Sequence, residues 1–358
     1  MTARLTVALL FGGRSGEHEV SLASAASVGA GLLPRHDVQC VLIDKSGRWL
    51  LQESAVPRPS GGEPVYLAPV PGDGGRLRRM ADAHELARPD AFFPVLHGTY
   101  GEDGTVQGLF ELASVPYVGA GVAASAASMD KAMMKALFAR ADLPQVEYRT
   151  LRRRDPAVEA RVLDELGLPV FVKPANLGSS VGISKVKACD ALGAALDTAF
   201  AYDRKVVVER ALDVRELEVS VLGNDAPEAS VPGEVVPDRE FYDYDSKYAA
   251  DSLTGLLIPA PLDAALAHEV RRLGVAAFQA VDAAGFARVD FFLEKATGRL
   301  LVNEINTIPG FTSISMYPKL WEATGISYPE LIDRLIELAI ERYEDKGRSE
   351  TSYQPVGN

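Results

Sequence analysis

Short apolar runs alternate with longer alanine-rich stretches along the first third of the chain. LTVALLF (residues 5–11), VQCVLID (38–44) and DAFFPVLHG (90–98) have the composition of buried strands, and SLASAASVGAGLL (21–33) is typical of a helix. Apolar strands that alternate with helices are characteristic of a parallel sheet covered on both faces. The pattern therefore predicts an α/β fold that begins with an open parallel, Rossmann-like sheet over residues 1–119.

Glycine-rich polar loops follow two of these strands. GGRSGEHEVS (12–21) comes after the first strand, and HGTYGEDGTVQG (97–108) begins where the third one ends. Ligands of open α/β sheets bind at the carboxyl ends of the strands, so both loops are predicted to line a binding site. The strand-end position of His97 favours a functional role for it over the structural role that a lone histidine usually has.

A second unit is predicted over residues 120–211. Its first helix has an apolar stripe that is typical of a packed face and does not include Lys131. The stripe consists of Met133, Met134, Leu137 and Phe138. LPVFVKP (168–174) and KVVVERAL (205–212) have the composition of strands.

The decamer KPANLGSSVG (173–182) includes the end of the first of these strands. Glycines let backbone N–H groups approach an anion, and a lysine with two hydroxyl groups adds charge and hydrogen bonds. In a Walker sequence the lysine follows the glycines and opens a helix, whereas here Lys173 ends a strand and the glycines come later. The residues alone leave two interpretations open, a phosphate-binding lid and an ordinary surface turn.

A third unit is predicted over residues 212–358. Within it, ARVDFFLEKATGRLLVNEINTIPG (287–310) has the pattern of a β-hairpin. If residues 294 and 300 pair, Asp290 faces Glu304 and Arg288 faces Asn306 on one side of the sheet. The opposite side then receives Val289, Phe291, Asn303 and Ile305. Later, PELIDRLIELAIERY (329–343) has the apolar periodicity of a helix docked on a core.

The paired acids of this hairpin point to a metal. Two opposed carboxylates repel each other unless a cation neutralises them. Carboxylate and amide oxygens are ligands that Mg²⁺ prefers when phosphates complete its shell. The hairpin therefore predicts a magnesium site at a triphosphate, and a solvated hairpin with its charges outside is the alternative.

Composition narrows the class of protein. The 358 residues suit two or three domains, and the net charge of −12 argues against nucleic acid or an anionic membrane as the main partner. The apolar start is too short to span a membrane and lacks a secretory cleavage pattern. Cys40 and Cys189 are too few for a disulfide framework; we expect both to be packing residues in a reducing cytoplasm.

Nine segments together resemble the D-alanine–D-alanine ligases of the ATP-grasp superfamily, in the same order and over nearly the whole chain. They are GGRSGEHEVSL, HGTYGEDGTVQG, VPYVG, SMDK, VKPANLGSSVG, FYDYDSKY, IPAPL, RVDFF and NEINTIPGFTSISMYP. The resemblance implies that a two-part ATP-grasp fold follows the first sheet. It also implies that ATP lies between two antiparallel sheets, with the glycine-serine loop closed over its phosphates.

The resemblance implies a set of site residues. The catalytic ones are Glu17, Ser179, Tyr248, Arg288 and Gly310. The substrate contacts are His97, Ser315 and Met316. The ATP contacts are Lys131, Lys173, Ser180, Glu209, Glu216 and Lys247. The metal ligands are Asp290, Glu304 and Asn306, the residues that the hairpin also indicates.

The same resemblance implies the chemistry and the partners. ATP would phosphorylate one D-alanine, a second D-alanine would attack the acyl phosphate, and the dipeptide would serve peptidoglycan synthesis. Two magnesium ions, for which Mn²⁺ can substitute, a cytoplasmic homodimer, and a lid over residues 239–255 coupled to the glycine-serine loop are further expectations.

Three alternative functions can be compared with the dipeptide ligase. A D-alanine–D-lactate ligase is the nearest alternative, although Tyr248 favours D-alanine as the acceptor. The second alternative is a catalytically silent ATP-binding regulator. It would not explain the presence of Asp290, Glu304 and Arg288. A dinucleotide dehydrogenase is disfavoured because FGGRSGEHE (11–19) lacks the G-x-G-x-x-G spacing.

Overall fold

A computed structural model describes residues 4–178, 181–236, 255–312 and 314–350. Its strands form three sheets that follow one another along the chain. The first sheet lies before residue 95, the second lies between residues 148 and 210, and the third lies between residues 214 and 306. The functional residues predicted from the sequence are distributed over all three.

The first sheet has seven strands. They are β1 (Thr6–Gly12), β2 (Asp37–Ile43), β3 (Trp49–Leu51), β4 (Glu63–Leu67), β5 (Leu77–Arg79), β6 (Glu85–Ala87) and β7 (Ala91–Pro94), in the spatial order β6-β5-β4-β3-β2-β1-β7. The strands β2, β1 and β7 are parallel, as predicted. The other four are antiparallel and extend one edge, because antiparallel neighbours can be joined by a loop without a crossover helix.

Both faces of β1 are buried, which explains its unbroken apolar run. Val7, Leu9 and Phe11 belong to one core with α1 (His18–Leu32), and Ala8 and Leu10 belong to another with α2 (Thr105–Ala113). Successive side chains of a strand point to opposite faces, so each helix covers alternate residues. The loops that end β1 and β7 therefore lie beside each other at one edge of a fully covered sheet.

The second sheet is antiparallel, in the order β10-β9-β11-β8. Its strands are β8 (Tyr148–Leu151), β9 (Val170–Pro174), β10 (Ser184–Val186) and β11 (Val206–Arg210). Two helices, α5 (Pro156–Leu166) and α6 (Leu192–Tyr202), bury their apolar residues against one face of it. The other face is left for the polar residues of β9 and β11.

Two short helices, α3 (Val122–Met129) and α4 (Lys131–Arg140), precede the second sheet. The apolar stripe predicted for α4 is partly wrong. Met134 and Phe138 are buried, but Met133 is 53% exposed, and the charged Lys135 is 1% exposed. An ion pair described below explains why a lysine takes a buried position on this helix.

The third sheet runs in the order β15-β14-β12-β16-β17, and β13 pairs with β12. Its strands are β12 (Val214–Gly223), β13 (Glu228–Ala229), β14 (Gly233–Val236), β15 (Gly255–Leu257), β16 (Gly285–Glu294) and β17 (Leu300–Asn306). Leu217, Val219, Val289 and Phe291 pack in one core with α7 (Ala264–Ala280). The opposite face of β12, β16 and β17 consequently carries the polar residues.

The predicted hairpin is present, and its register at the charged end is confirmed. Arg288 pairs with Asn306, and Asp290 pairs with Glu304. The pairing of residues 294 and 300 is wrong, because Leu293 pairs with Leu300 and the register shifts by one residue after Asp290. Asn303 is the extra residue of this bulge, so the charged pairs keep their face while the turn end is displaced.

Two helices complete the fold, α8 (Met316–Thr324) and α9 (Tyr328–Lys346). The prediction that the last helix docks on a core is confirmed: Leu331, Ile332 and Leu335 lie in the same core as β1 and α1. A Cβ at Gly31 of α1 would lie 2.3 Å from Ile332 Cδ1, so a larger residue here would require the Ile332 side chain to move.

Within the described ranges, no helix combines the length and apolar character required to cross a membrane. Of the two cysteines, Cys40 is buried, as expected of a packing residue, and burial raises the pKa of its thiol to about 12. The expectation for Cys189 is wrong, because this residue is exposed. It begins a 3₁₀ turn ahead of α6, where no core is available to cover it.

Candidate active site

A buried carboxylate with two lysines lies on one face of the second sheet. Lys173 pairs with Val207 across β9 and β11, so Glu209, two residues further on, projects to the same face. Lys173 Nζ donates to Glu209 Oε2 over 2.5 Å, and Lys135 Nζ lies 2.9 Å from Glu209 Oε1. Burial would raise the pKa of Glu209, but the charges of Lys135 and Lys173 outweigh it and lower the pKa to about 2.

A row of acids lies on the polar face of the third sheet. Glu218, Asp290 and Glu304 pair across β12, β16 and β17 and therefore share that face. Arg288 donates from Nε and Nη2 to the two oxygens of Asp290, over 2.7 Å each, and its Nε lies 3.0 Å from Glu218 Oε2. Burial would lower the pKa of Arg288, but the charges of Asp290 and Glu218 raise it well above its usual value, so this guanidinium is charged.

Lys173 links the two sheets electrostatically. Burial would lower the pKa of its ammonium group, but the charge of Glu209, with smaller contributions from Glu304 and Glu216, raises it. Because Glu304 and Glu216 belong to the third sheet, the two polar faces line a common cleft. One wall of the cleft is basic and the other carries acids with an arginine, which suits an anion accompanied by a cation.

The three predicted metal ligands come together on the hairpin. Asn306 Nδ2 donates to Asp290 Oδ2 over 3.2 Å, and Asp290 pairs with Glu304. No group of three or more His, Cys, Asp or Glu side chains in the described part of the chain is arranged to hold a metal ion. Two carboxylates and an amide oxygen nevertheless fit a hard divalent cation whose shell is completed by phosphate or water. Arg288 donates to each Asp290 oxygen, and Asn306 donates a second hydrogen bond to Oδ2.

The start of the glycine-serine loop is held by two polar contacts. Asp203 Oδ2 accepts hydrogen bonds from the backbone N and the Nδ2 of Asn176, over 2.7 and 2.8 Å. Lys131 Nζ donates to the carbonyl oxygen of Leu177 over 2.8 Å. The ammonium groups predicted to bind phosphate thus lie at this loop, Lys131 beside its backbone and Lys173 on the strand that leads into it.

Glu17 lies where the glycine loops meet. A Cβ at Gly98 would lie 2.6 Å from Glu17 Oε2, and one at Gly178 would lie 3.2 Å from the same atom. Both loops can approach the carboxylate this closely because they present glycine. Glu17, Thr99 and Gly178 are among the residues that line a cavity of about 50 Å³, which has room for a few small polar groups.

His97 joins the first sheet to the segment after β17. Its Nδ1 donates to the carbonyl oxygen of Ile308 over 2.9 Å, and its Nε2 lies 2.9 Å from Ser24 Oγ. Ser24 Oγ in turn accepts from the backbone N of Phe311 over 3.3 Å. The ring is therefore engaged by the protein on both nitrogens and fixes the loop that contains Gly310.

Gly310 and Ser315 lie side by side in that loop. A Cβ at Gly310 would lie 3.0 Å from Ser315 Oγ, and the same oxygen accepts from the backbone N of Thr312 over 3.0 Å. The side chain of Met316 packs with Val235 and Leu320 and does not line the polar cleft.

Four predicted site residues lie outside the described residues: Ser179, Ser180, Lys247 and Tyr248. The predicted lid over residues 239–255 is outside them too, except for Gly255. Sequence reasoning missed Lys135 and Glu218. A charged residue among the buried positions of α4 was a possible signal for Lys135, whereas Glu218 could have been found from its period-two spacing with Glu216.

The chain is similar to known proteins over nearly its whole length. Models of the D-ala D-ala ligase N-terminus and C-terminus match residues 6–120 and 137–337. The D-alanine–D-alanine ligase of Heliobacterium modesticaldum is 53% identical over 361 residues, which cover 98% of each chain.

Solved structures give the same result. The D-alanine-D-alanine ligase from Coxiella burnetii has a TM-score of 0.84 and 36% identity, over 96% of this chain and 98% of that one. The VanG D-Ala:D-Ser ligase from Enterococcus faecalis has a TM-score of 0.84 and 33% identity, over 94% and 99%. The mixed α/β fold with its charged cleft is of the ATP-grasp type. The chain belongs to the D-alanine–D-alanine ligase family, which confirms the resemblance of the nine segments.

Proposed function

We propose that this protein joins two D-alanine molecules into D-alanyl-D-alanine for peptidoglycan precursors, with conversion of ATP to ADP and phosphate. The observation that carries the proposal is the cleft in which Lys173, bonded to Glu209 over 2.5 Å, lies within electrostatic reach of Glu304 and Glu216 on the other sheet. A triphosphate with a divalent cation needs both signs of charge in one place, and this cleft supplies them. The names of the similar ligases supply the amino-acid substrate.

ATP binds between the second and third sheets in this proposal. Lys131 and Lys173, helped by Ser180 and Lys247, contact the phosphates. The base lies against Glu209 and the ribose hydroxyls against Glu216, both acids that accept hydrogen bonds when ionised. The lowered pKa of Glu209 supports this role, because an ionised carboxylate is a permanent acceptor at neutral pH.

Asp290, Glu304 and Asn306 would hold the divalent metal, which we propose to be two Mg²⁺ ions that Mn²⁺ can replace. When bound, the metal neutralises phosphate charge and aligns the γ-phosphoryl group for transfer. The oxygen-only donor set supports magnesium over softer metals.

The reaction then has two steps, since a carboxylate oxygen is too poor a leaving group for direct attack by an amine. Glu17 holds the ammonium of the first D-alanine in a hydrogen-bonded group with Ser179 and Tyr248. The carboxylate of this D-alanine attacks the γ-phosphoryl group, and an acyl phosphate forms as ADP leaves. The glycine-serine loop excludes water from this reactive species.

The second D-alanine enters with its carboxylate at Ser315 and the backbone of Met316, and its amine attacks the acyl carbon. Arg288 and the backbone N–H of Gly310 stabilise the oxyanion that develops there. Phosphate leaves and the amide bond remains. His97 fixes the loop that carries Gly310 and stays beside the first substrate. The enzyme works as a homodimer in the cytoplasm in this proposal.

An assay of ADP release with ATP and Mg²⁺ tests the proposal. We expect turnover with D-alanine, none with L-alanine, and a product that contains one new amide bond. Arms with D-serine and D-lactate test the acceptor, because one of the similar solved structures is that of a D-Ala:D-Ser ligase. Faster turnover with D-alanine plus D-serine or D-lactate than with D-alanine alone would reassign the acceptor. ADP release that does not depend on any amino acid would overturn the proposal.

A further inference from the structure

The carboxylate of Glu209 has two cationic neighbours, and they differ in their surroundings. Lys173 Nζ donates to Oε2 over 2.5 Å, and Lys135 Nζ lies 2.9 Å from Oε1. Glu209 is 2% exposed, so its charge is out of reach of bulk water. A buried carboxylate without a cation would be strongly destabilised or would take up a proton.

Lys173 also interacts with acids of the third sheet. The charges of Glu304 and Glu216 act on its ammonium group across the cleft. Lys135 lies deeper, with its ammonium 5.3 Å from the centre of the Tyr148 ring. If Lys173 turns toward a bound triphosphate, Lys135 is the cation that still neutralises Glu209. Two ammonium groups and one carboxylate have a net charge of +1. This positive charge can attract an anionic ligand.

The oxygen nearest to Lys135 is buried and lies beside its ammonium group. No described residue donates a well-directed hydrogen bond to Glu209 Oε1, although Lys135 neutralises its charge. An ionised carboxylate only accepts hydrogen bonds. It therefore favours a base with an amino group at this position and disfavours one with a carbonyl oxygen.

We propose that Lys135 is a positioning residue that keeps Glu209 ionised and in place, and thereby makes the site select a 6-amino purine nucleotide over a 6-keto one. The inference rests on the proposed function, in which Glu209 lies at the base. Lys135 itself does not touch the reacting atoms. Without Lys135, Glu209 either retains Lys173, at the expense of the phosphate contact, or takes up a proton and can then donate to a carbonyl oxygen.

Binding of ATP and of ITP, which differ at position 6 of the base, tests the inference by calorimetry on the full chain with Mg²⁺. We expect Lys135→Met to weaken ATP binding by about 10- to 100-fold, the range for a lost hydrogen bond to a charged group, while ITP binding changes less. The ATP-to-ITP preference should therefore fall. In turnover, KM for ATP should rise more than kcat falls, and Lys135→Arg should restore the preference.

Two further variants separate this role from a general loss of stability. Lys205→Met removes the ammonium that pairs with Asp130, another largely buried ion pair, and should leave the ATP-to-ITP preference unchanged. In a Glu209→Gln background, Lys135→Met should produce no further loss of preference, because both residues act through one carboxylate. If Lys135→Met does not fold, Lys135→Gln provides the same comparison.

An unchanged preference in a folded Lys135→Met or Lys135→Gln variant would overturn the inference and leave the proposed function intact. Equal weakening of ATP binding and ITP binding in such a variant would also overturn the inference and leave the proposed function intact. A wild-type chain that bound neither nucleotide would overturn the proposed function, and this inference with it.

Discussion

Arg288 holds the carboxylate of Asp290 in a two-pronged hydrogen bond, with Nε and Nη2 each 2.7 Å from a different oxygen. The two residues are neighbours on one face of β16, and Asp290 is also paired with Glu304 of β17. The planar guanidinium thus neutralises the acid row and fixes the orientation of a predicted metal ligand. A lysine cannot reproduce this fork.

Replacement of that arginine should therefore be costly for catalysis. We expect Arg288→Lys to lower kcat for ADP release by about 10²- to 10³-fold, the usual cost of one oxyanion donor. Arg215→Lys is a matched control, since Arg215 of β12 forms a similar fork with Glu234 of β14, over 2.8 and 2.7 Å, in the same sheet. Equal losses in the two variants would contradict a specific role for Arg288.

Loss of a metal ligand should abolish turnover and spare the fold. Glu304→Gln and Asn306→Ala each remove an oxygen donor or a charge from the cleft, and neither residue is part of an apolar core. Turnover and melting temperature of the purified variants check this expectation. Glu294→Gln, at the turn end of the same hairpin, should retain turnover; activity near the wild-type level in Glu304→Gln would refute the metal assignment.

The contact between Asp203 and Asn176 should support nucleotide binding. Asp203→Ala removes the acceptor of two hydrogen bonds at the start of the glycine-serine loop. We expect KM for ATP to rise about 10-fold, since hydrogen bonds to a charged group contribute about 1.5–3 kcal/mol. Asp197→Ala, on an exposed position of α6, is the control and should leave KM unchanged. An unaltered KM in Asp203→Ala would show that this contact does not position the loop.

The buried Glu209 should make stability fall in acid. Its folded pKa of about 2 lies below its ordinary value of 4.5, so it stabilises the folded state above pH 4.5. That contribution is lost as the pH falls from 4.5 through about 2. Urea unfolding at pH 5, 4 and 3 should show a flatter pH dependence for Glu209→Gln than for the wild type. Parallel pH dependences would contradict this prediction.

The packing of α9 on the first sheet should be sensitive to cavities. Leu335 is fully buried in the core shared with β1, and we expect Leu335→Ala to lower the free energy of unfolding by about 2–5 kcal/mol. Leu338→Ala, one turn further on, removes the same atoms from a partly buried position and should cost less. Denaturant unfolding measures both values, and a Leu338→Ala loss as large as that of Leu335→Ala would contradict the packing account.

Several strands and helices, and the charged end of the hairpin, could be located from the sequence pattern alone. Strand and helix periods are local, so an unbroken apolar run located β1, and the hairpin pattern located β16 and β17 and put Asp290 and Glu304 on one face. The bulge at Asn303 did not appear in the pattern, because a single extra residue changes the register without changing the apolar composition. The predicted pairing at the charged end is nevertheless correct, because the register shift lies beyond Asp290.

Contacts between distant side chains depend on the packing of the elements and could not be predicted from the sequence pattern. Lys135 and Glu209 are on α4 and β11, and Glu218 joins Asp290 only through the pairing of β12 with β16. No local period relates such residues, since their proximity depends on how the helices and sheets pack against one another. The same holds for Gly31, whose missing side chain admits Ile332 of the last helix. The burial that gives Lys135 and Glu209 their charge partnership is a property of that packing.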